Sequence, residues 1–181
     1  MRQVGPTPSG IERTFGDEEI IVSKTDRRGF ITYANDVFVR VSGYREDELL
    51  GKPHSIIRHP EMPRIVFRVL WQTIERGEEI FAFVNNLAAD GANYWVLAHI
   101  SPSFDADGRI VGYHSNRRSP RRAAITEIAA LYERLRAEEL RHHSPVAGME
   151  ASGQLLAHLL GARDQDYDAF VWDLINRAEA A

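Results

Sequence analysis

Apolar and polar residues follow two periods in turn along this chain. "EIIVSKTD" and "FITYAN" are short β-rich runs separated by the turn "RRG", which predicts a hairpin. Asn35 and Asp36 then cap the helical stretch "DVFVRVSGY", in which Phe38 and Val41 sit three apart. "REDELLGKP" reads as a short helical turn stopped by Gly51 and Pro53. In "RIVFRVLWQTIERGE", Ile65, Val66, Val69, Leu70 and Ile74 fall on one face of a helix that ends at Gly77. The period then drops to two. "EIFAFVNNL", "YWVLAHISPSFD" and "IVGYHSNRRS", joined through the turns "AADGAN" and "ADGR", predict an antiparallel meander.

From Pro120 the helical period returns. "RRAAITEIAALYERLRAEELRHH" carries Ile125, Ile128, Leu131 or Tyr132, and Leu135 on one face, and "SPVAG" breaks it. Two shorter helices follow, "MEASGQLLAHLL" and "DQDYDAFVWDLINRAEA", the second with Asp164 and Asp166 as cap candidates. The order predicts an α+β domain: a five-stranded antiparallel sheet with short helices over one face, plus a C-terminal helical extension. Residues 1–17 are expected to form a flexible leader, poorly ordered or merely docked. Residues 18–120 form the domain and 121–181 the extension for dimerisation or output. The apolar stripe of the first extension helix must be buried on the sheet's outer face or on a second copy of the chain.

A chain of 181 residues can bury a core and still enclose a ligand cavity. The absence of cysteine excludes disulfides, thiolate metal sites and a cysteinyl adduct with a flavin. A net charge of −4 gives no reason to expect a nucleic acid as partner, and "RRSPRR", residues 117 to 122, reads as a solvated linker. No apolar run has the length of a signal-peptide core or a membrane span, so a cytoplasmic protein is expected.

Candidate chemistry concentrates in "RHPEMP", residues 58 to 63. His59 and Glu61, two apart, share no helix face, and no second ligand pair lies nearby, which argues against a metal or catalytic centre there; the protein is not expected to be an enzyme. As a helix start, Pro63 suits the first turn and Glu61 the positive end of the dipole. That leaves Arg58 and His59 unexplained. In "VNNL", period two turns one asparagine inward, and Asn86 is expected to be that one.

The segments "TYANDVFVRVSGYREDELLGKPHSIIRHPEMPRIVFRVLW", "GEEIFAFVNN", "YWVLAHISP", "GRIVGYHSNR" and "AALYERL" resemble a PAS domain. They are most similar to the FAD-binding PAS sensor domain of bacterial aerotaxis receptors, over roughly residues 18 to 137. The resemblance implies the PAS fold and noncovalent FAD. It assigns flavin binding to Arg58, His59 and Glu61, the last where the family usually has Asp. It also implies that Asn86 contacts the isoalloxazine edge and that Asn35 and Trp71 help form the pocket floor. Phe81 stands where the family often has tryptophan, and "NNLAADG" where it has a basic loop. Aerotaxis receptors continue into a membrane anchor and a coiled coil, whereas this chain ends after its helical extension. It is therefore expected to be a fragment, or a soluble sensor that signals to a separate protein such as a chemoreceptor or histidine kinase, as a homodimer.

Two other readings fit the same fold. One is a haem-binding gas sensor using His54, His59, His99 or His114. The other is a ligand-free interaction module whose own side chains fill the pocket.

Overall fold

A computed structural model describes residues 6–180 of the chain, so residues 1–5 of the expected leader lie outside the described residues. Strands β1 (Ile21–Asp26) and β2 (Ile31–Ala34) form the N-terminal hairpin. Helices α1 (Asp36–Ser42) and α2 (Glu46–Leu49), a 3-10 turn (His54–Ile57) and α3 (Arg64–Glu75) follow. Strands β3 (Ile80–Leu87), β4 (Asn93–Phe104) and β5 (Ile110–Arg118) complete a five-stranded antiparallel sheet of order β2-β1-β5-β4-β3. Chain order and sheet order differ because β5 returns to pair with β1, which carries the meander past the short helices and leaves them over one face.

Local chemistry accounts for the α1 boundaries. Asn35 caps α1 by accepting the Phe38 amide at 3.0 Å, and Gly43 closes it in the left-handed region. Helix α3 differs from the expectation. Pro63 precedes the helix rather than opening it, and no neighbouring side chain caps it. The cap comes from far along the chain: Glu139 Oε1 accepts the Ile65 amide at 3.1 Å. Glu61, expected at that positive end, points to solvent with 84 % of its side chain exposed.

The extension consists of α4 (Arg122–Leu140), α5 (Pro145–Gly161) and α6 (Tyr167–Glu179). Ser144 and Pro145, expected to break the helical pattern, instead start α5 early: the serine hydroxyl caps the Ala147 amide and the proline takes the first turn. Asp166 caps α6, accepting the Ala169 amide at 2.8 Å. The α4 stripe, Ile125, Ile128, Tyr132 and Leu135, is buried within the chain. The Tyr132 hydroxyl donates to the Phe83 carbonyl at 2.8 Å and lies 3.0 Å from the Tyr167 hydroxyl, so β3, α4 and α6 meet at one buried polar point. No helix among the described residues is long and apolar enough to cross a membrane.

The leader's described part is held against the domain. Ser9 and Arg13 amides donate to the Gly91 and Asn93 carbonyls at 2.8 and 2.7 Å, and Phe15 is buried. Gly91 sits at φ 85° with Thr7 so close that a Cβ would lie 2.2 Å from its carbonyl oxygen.

Tyr132→Phe removes the buried hydroxyl and leaves the Phe83 carbonyl without that donor. Thermal denaturation is expected to show a loss of about 1 to 2 kcal/mol, a Tm about 4 °C lower. An unchanged Tm would show that the extension's polar contact contributes nothing.

Candidate functional site

A cavity of about 600 Å³ lies between the sheet and α3. Strand alternation supplies its floor: Ser23 from β1, Val84 and Asn86 from β3, Val96 and Ala98 from β4, and Tyr113, Ser115 and Arg117 from β5 all point the same way. His54 and Ile57 of the 3-10 turn and Phe67, Leu70, Trp71 and Ile74 of α3 close the opposite side. Arg28, Arg58, Arg64 and Arg68 also line it, so the apolar space has a cationic fringe.

Of the residues expected at the site, the structure brings together Arg58, Asn86 and Trp71. Arg58 ends the 3-10 turn, and its backbone forms an isolated bridge with that of Asn86. Its guanidinium carbon lies 3.9 Å from the centre of the Phe67 ring, a cation–π contact that helps hold it at the cavity wall. Burial lowers its pKa to about 10, so it stays charged at neutral pH. Trp71 stands edge-on to Tyr113 with ring centres 5.5 Å apart. Asn86 is buried, and its side-chain nitrogen has no hydrogen-bond partner among the described residues.

The other four expected residues do not line the cavity. Asn35 is held by the backbone away from the cavity lining, its amide oxygen accepting from Val22 and Phe38 and its nitrogen donating to Ile20. Phe81 has the opposite strand parity to Asn86. It faces the outer layer, its ring stacked on His99 with centres 4.3 Å apart and tilted against Trp172 of α6 at 4.7 Å, so a phenylalanine at this position leaves the cavity untouched. His59 is buried in the "RHPEMP" loop, where Nδ1 accepts the Glu61 amide at 3.3 Å. Burial holds its pKa below the usual imidazole range, with Glu61 opposing. Glu61 lines a separate groove with Trp95, Tyr132 and Arg136.

The principal residue missed in the sequence is Arg117, read there as part of a solvated linker. It is buried on the cavity wall, donates to the Ser23 hydroxyl and lies 4.4 Å over the Phe38 ring. Its Nε and Nη1 have no hydrogen-bond partner among the described residues. The available signal was parity: Tyr113, Ser115 and Arg117 alternate along one strand face. Burial lowers the Arg117 pKa to about 10. His54, whose Nε2 lies 3.2 Å from the same Ser23 hydroxyl, is driven down to about 3 by burial and by the Arg117 charge, and is neutral. Of the four histidines considered for haem, only His54 lines the cavity, since His99 pairs with Glu79 and His114 with Asn116.

These residues fit a flavin better than an apolar ligand. A buried cation with two unpartnered nitrogens and a carboxamide with an unpartnered nitrogen are costly unless a ligand supplies acceptors. A flavin ring supplies carbonyl and ring-nitrogen acceptors, and the phosphate of a flavin nucleotide suits the arginine fringe.

Comparison with known proteins agrees with this architecture. The family described as PAS fold matches residues 31–117. The aerotaxis receptor of Escherichia coli (strain K12) is 40 % identical over 121 residues, 67 % of this chain and 24 % of that protein. The nitrogen fixation regulatory protein of Klebsiella pneumoniae is 31 % identical over 117 residues, 65 % of this chain and 23 % of that protein. The chain thus spans about a quarter of the length of these relatives. Among solved structures, the dark state of the blue-light photoreceptor Aureochrome1 LOV superposes with a TM-score of 0.56 at 22 % identity, covering 61 % of this chain and 82 % of that one.

Because His54 has a folded pKa far below its unfolded value, the unfolded chain takes up a proton first as pH falls, and stability is lost below about pH 6.5. From pH 7 to 5 the expected loss from this group is about 2 kcal/mol. Urea denaturation of His54→Gln against the parent should show a flatter pH dependence over that window. Parallel curves would mean that His54 does not remain neutral when folded.

Proposed function

Because residues 31–117 form a PAS domain related to that of the aerotaxis receptor, we propose that this chain is a sensory module that binds FAD and reports redox or oxygen-linked energy status. The observation that carries this reading is the Asn86 carboxamide, buried on the cavity wall with its donor unpaired. Arg117 supplies two further free donors on the same wall, and the Arg58 backbone lies against Asn86 at the cationic fringe.

A bound flavin supplies a redox couple whose reduction changes charge and hydrogen bonding at the ring edge. The protein's side chains are suited to register such a change. Asn86 offers a donor at one end of its amide and an acceptor at the other, so a changed partner requires only rotation of the amide. Arg117 has no acidic partner among its hydrogen bonds and ion pairs, so it favours negative charge in the cavity. Arg58, with Arg64 and Arg68 on the first turns of α3, can hold a diphosphate in place. The signal is then passed to a chemoreceptor or histidine kinase in the cytoplasm. The homodimer expected from the sequence would use surfaces other than the α4 stripe, which is buried inside the chain.

The test is an absorption spectrum of purified protein before and after incubation with FAD, followed by titration of variants. Flavin bands are expected, with Asn86→Ala and Arg58→Ala each weakening FAD binding by about 10- to 100-fold, the value of a charged or buried hydrogen bond. Arg27→Ala on the hairpin turn should bind like the parent. Protein that stays colourless would sink the flavin reading in favour of a ligand-free module, and an intense Soret band would shift it to haem at His54.

A further inference from the structure

The cavity is not built by residues 18–120 alone. Met149 of α5, in the C-terminal extension, lines it beside Arg64 and Arg68 of α3. Two consecutive helix faces of α5 explain how it reaches there. Gly148 lies so close to α4 that a Cβ would be 2.5 Å from the Glu139 carbonyl oxygen, and Ser152, one turn on, is fully buried. Gly153 faces α3, where a Cβ would meet Ile65 Cδ1 at 3.1 Å. Met149 and Gly153 are themselves one turn apart, so the face that touches α3 is the face that enters the cavity.

Glu139 makes a second link between the extension and the same helix. Its side chain is 1 % exposed, with Oε1 on the Ile65 amide at 3.1 Å and Oε2 3.5 Å from the Arg136 guanidinium. Because Pro63 gives α3 no side-chain cap, this carboxylate is the partner that the helix's positive end has. Its charge also acts on Arg58, opposing the effect of burial there. Arg58 stands just ahead of α3, while Phe67, Leu70 and Trp71 project from that helix into the cavity.

We propose that the C-terminal extension is part of the cofactor site, Met149 closing the cavity and Glu139 positioning α3 and Arg58, so that filling the cavity and docking α5 stabilise each other. This rests on the flavin reading and specifies its relay. Ligand that fills the space under Met149 and engages α3 strengthens the α3–α5 contact, and loss of that contact loosens one wall around the ligand. Such coupling is reciprocal: the factor by which α5 docking raises affinity is the factor by which ligand stabilises docking.

The experiment pairs FAD titration with amide hydrogen exchange over residues 145–161, in the parent, Gly153→Leu, Met149→Ala and Glu139→Gln. In the parent, saturating FAD is expected to slow α5 exchange by about 10-fold, within the usual range of coupling. Gly153→Leu wedges α5 from Ile65, speeding its exchange and weakening FAD by the same factor. Met149→Ala, which removes cavity wall but no helix backbone contact, weakens FAD by about 3-fold. Glu139→Gln keeps an acceptor for the Ile65 amide but removes the charge, and should fall between Gly153→Leu and the parent. Should Gly153→Leu fail to fold, the parent and Met149→Ala decide the matter. FAD that binds the parent without altering α5 exchange, or binds a demonstrably undocked Gly153→Leu within two-fold of the parent, overturns the coupling alone. A parent that binds no FAD overturns the cofactor reading and the coupling with it.

Discussion

Strand β3 is covered on both faces, and strand alternation makes each residue of β3 and of its partner β4 belong to one side or the other. Val84 and Asn86 face the cavity, while Phe81 and Trp95 face α6 and α4. Strand β3 thus serves as the partition between a ligand space and a helical layer. Its backbone contributes as well, since the Phe83 carbonyl is held by Tyr132 of α4 and the Asn86 backbone bridges to Arg58. A one-residue slip in register would exchange the two faces and bury the wrong side chains everywhere. The long, continuous pairing of β3 with β4, from Ile80↔Ile100 to Leu87↔Asn93, protects against it.

Within that partition the cavity carries an electrostatic imbalance. Arg117 is buried with two nitrogens unpartnered, and the cost of an uncompensated buried ion is several kcal/mol. The Ser23 hydroxyl and the face of the Phe38 ring offset only part of it, and His54 avoids adding to it by staying neutral. A domain needing only a filled core would be more stable with an aliphatic residue at that position. Retaining a cation there fits a ligand that supplies electron-rich atoms, which is why the polar groups of the wall weigh more for function than its aromatic lining.

Much of the fold was legible because it follows from local rules. The hairpin, the α3 stripe and the Asp-Gly meander each depend on residues close in sequence, and all five strands lie within the runs that predicted them. The errors came where a distant partner decides. Glu139 caps a helix that starts 75 residues before it, so Glu61 was the only nearby candidate. At the site, parity was the unused signal: Asn86 and Phe81 differ by an odd number and could not both face a ligand across a regular strand. Parity also placed Arg117 with Tyr113, but the run of neighbouring arginines suggested solvent. Asn35 was read both as a helix cap and as a pocket residue, and its three backbone bonds hold it in the first role, off the cavity lining.

The position of α3 follows from these constraints. Its first turn is held by a carboxylate from α4 and contacted by α5, while its inner face supplies Trp71 and Phe67 to the cavity. A helix fixed only by its own domain could shift with the ligand and leave the extension undisturbed. Here the Ile65 amide and side chain are both committed to the extension, so movement of α3 must either break the Glu139 cap or carry α4 and α5 with it. Breaking a buried charged cap costs about 1.5 to 3 kcal/mol, comparable to typical coupling energies between sites of about 1 to 3 kcal/mol. Moving the helices together avoids that cost, so under the coupling proposed above a response at the cavity would be felt in the C-terminal layer.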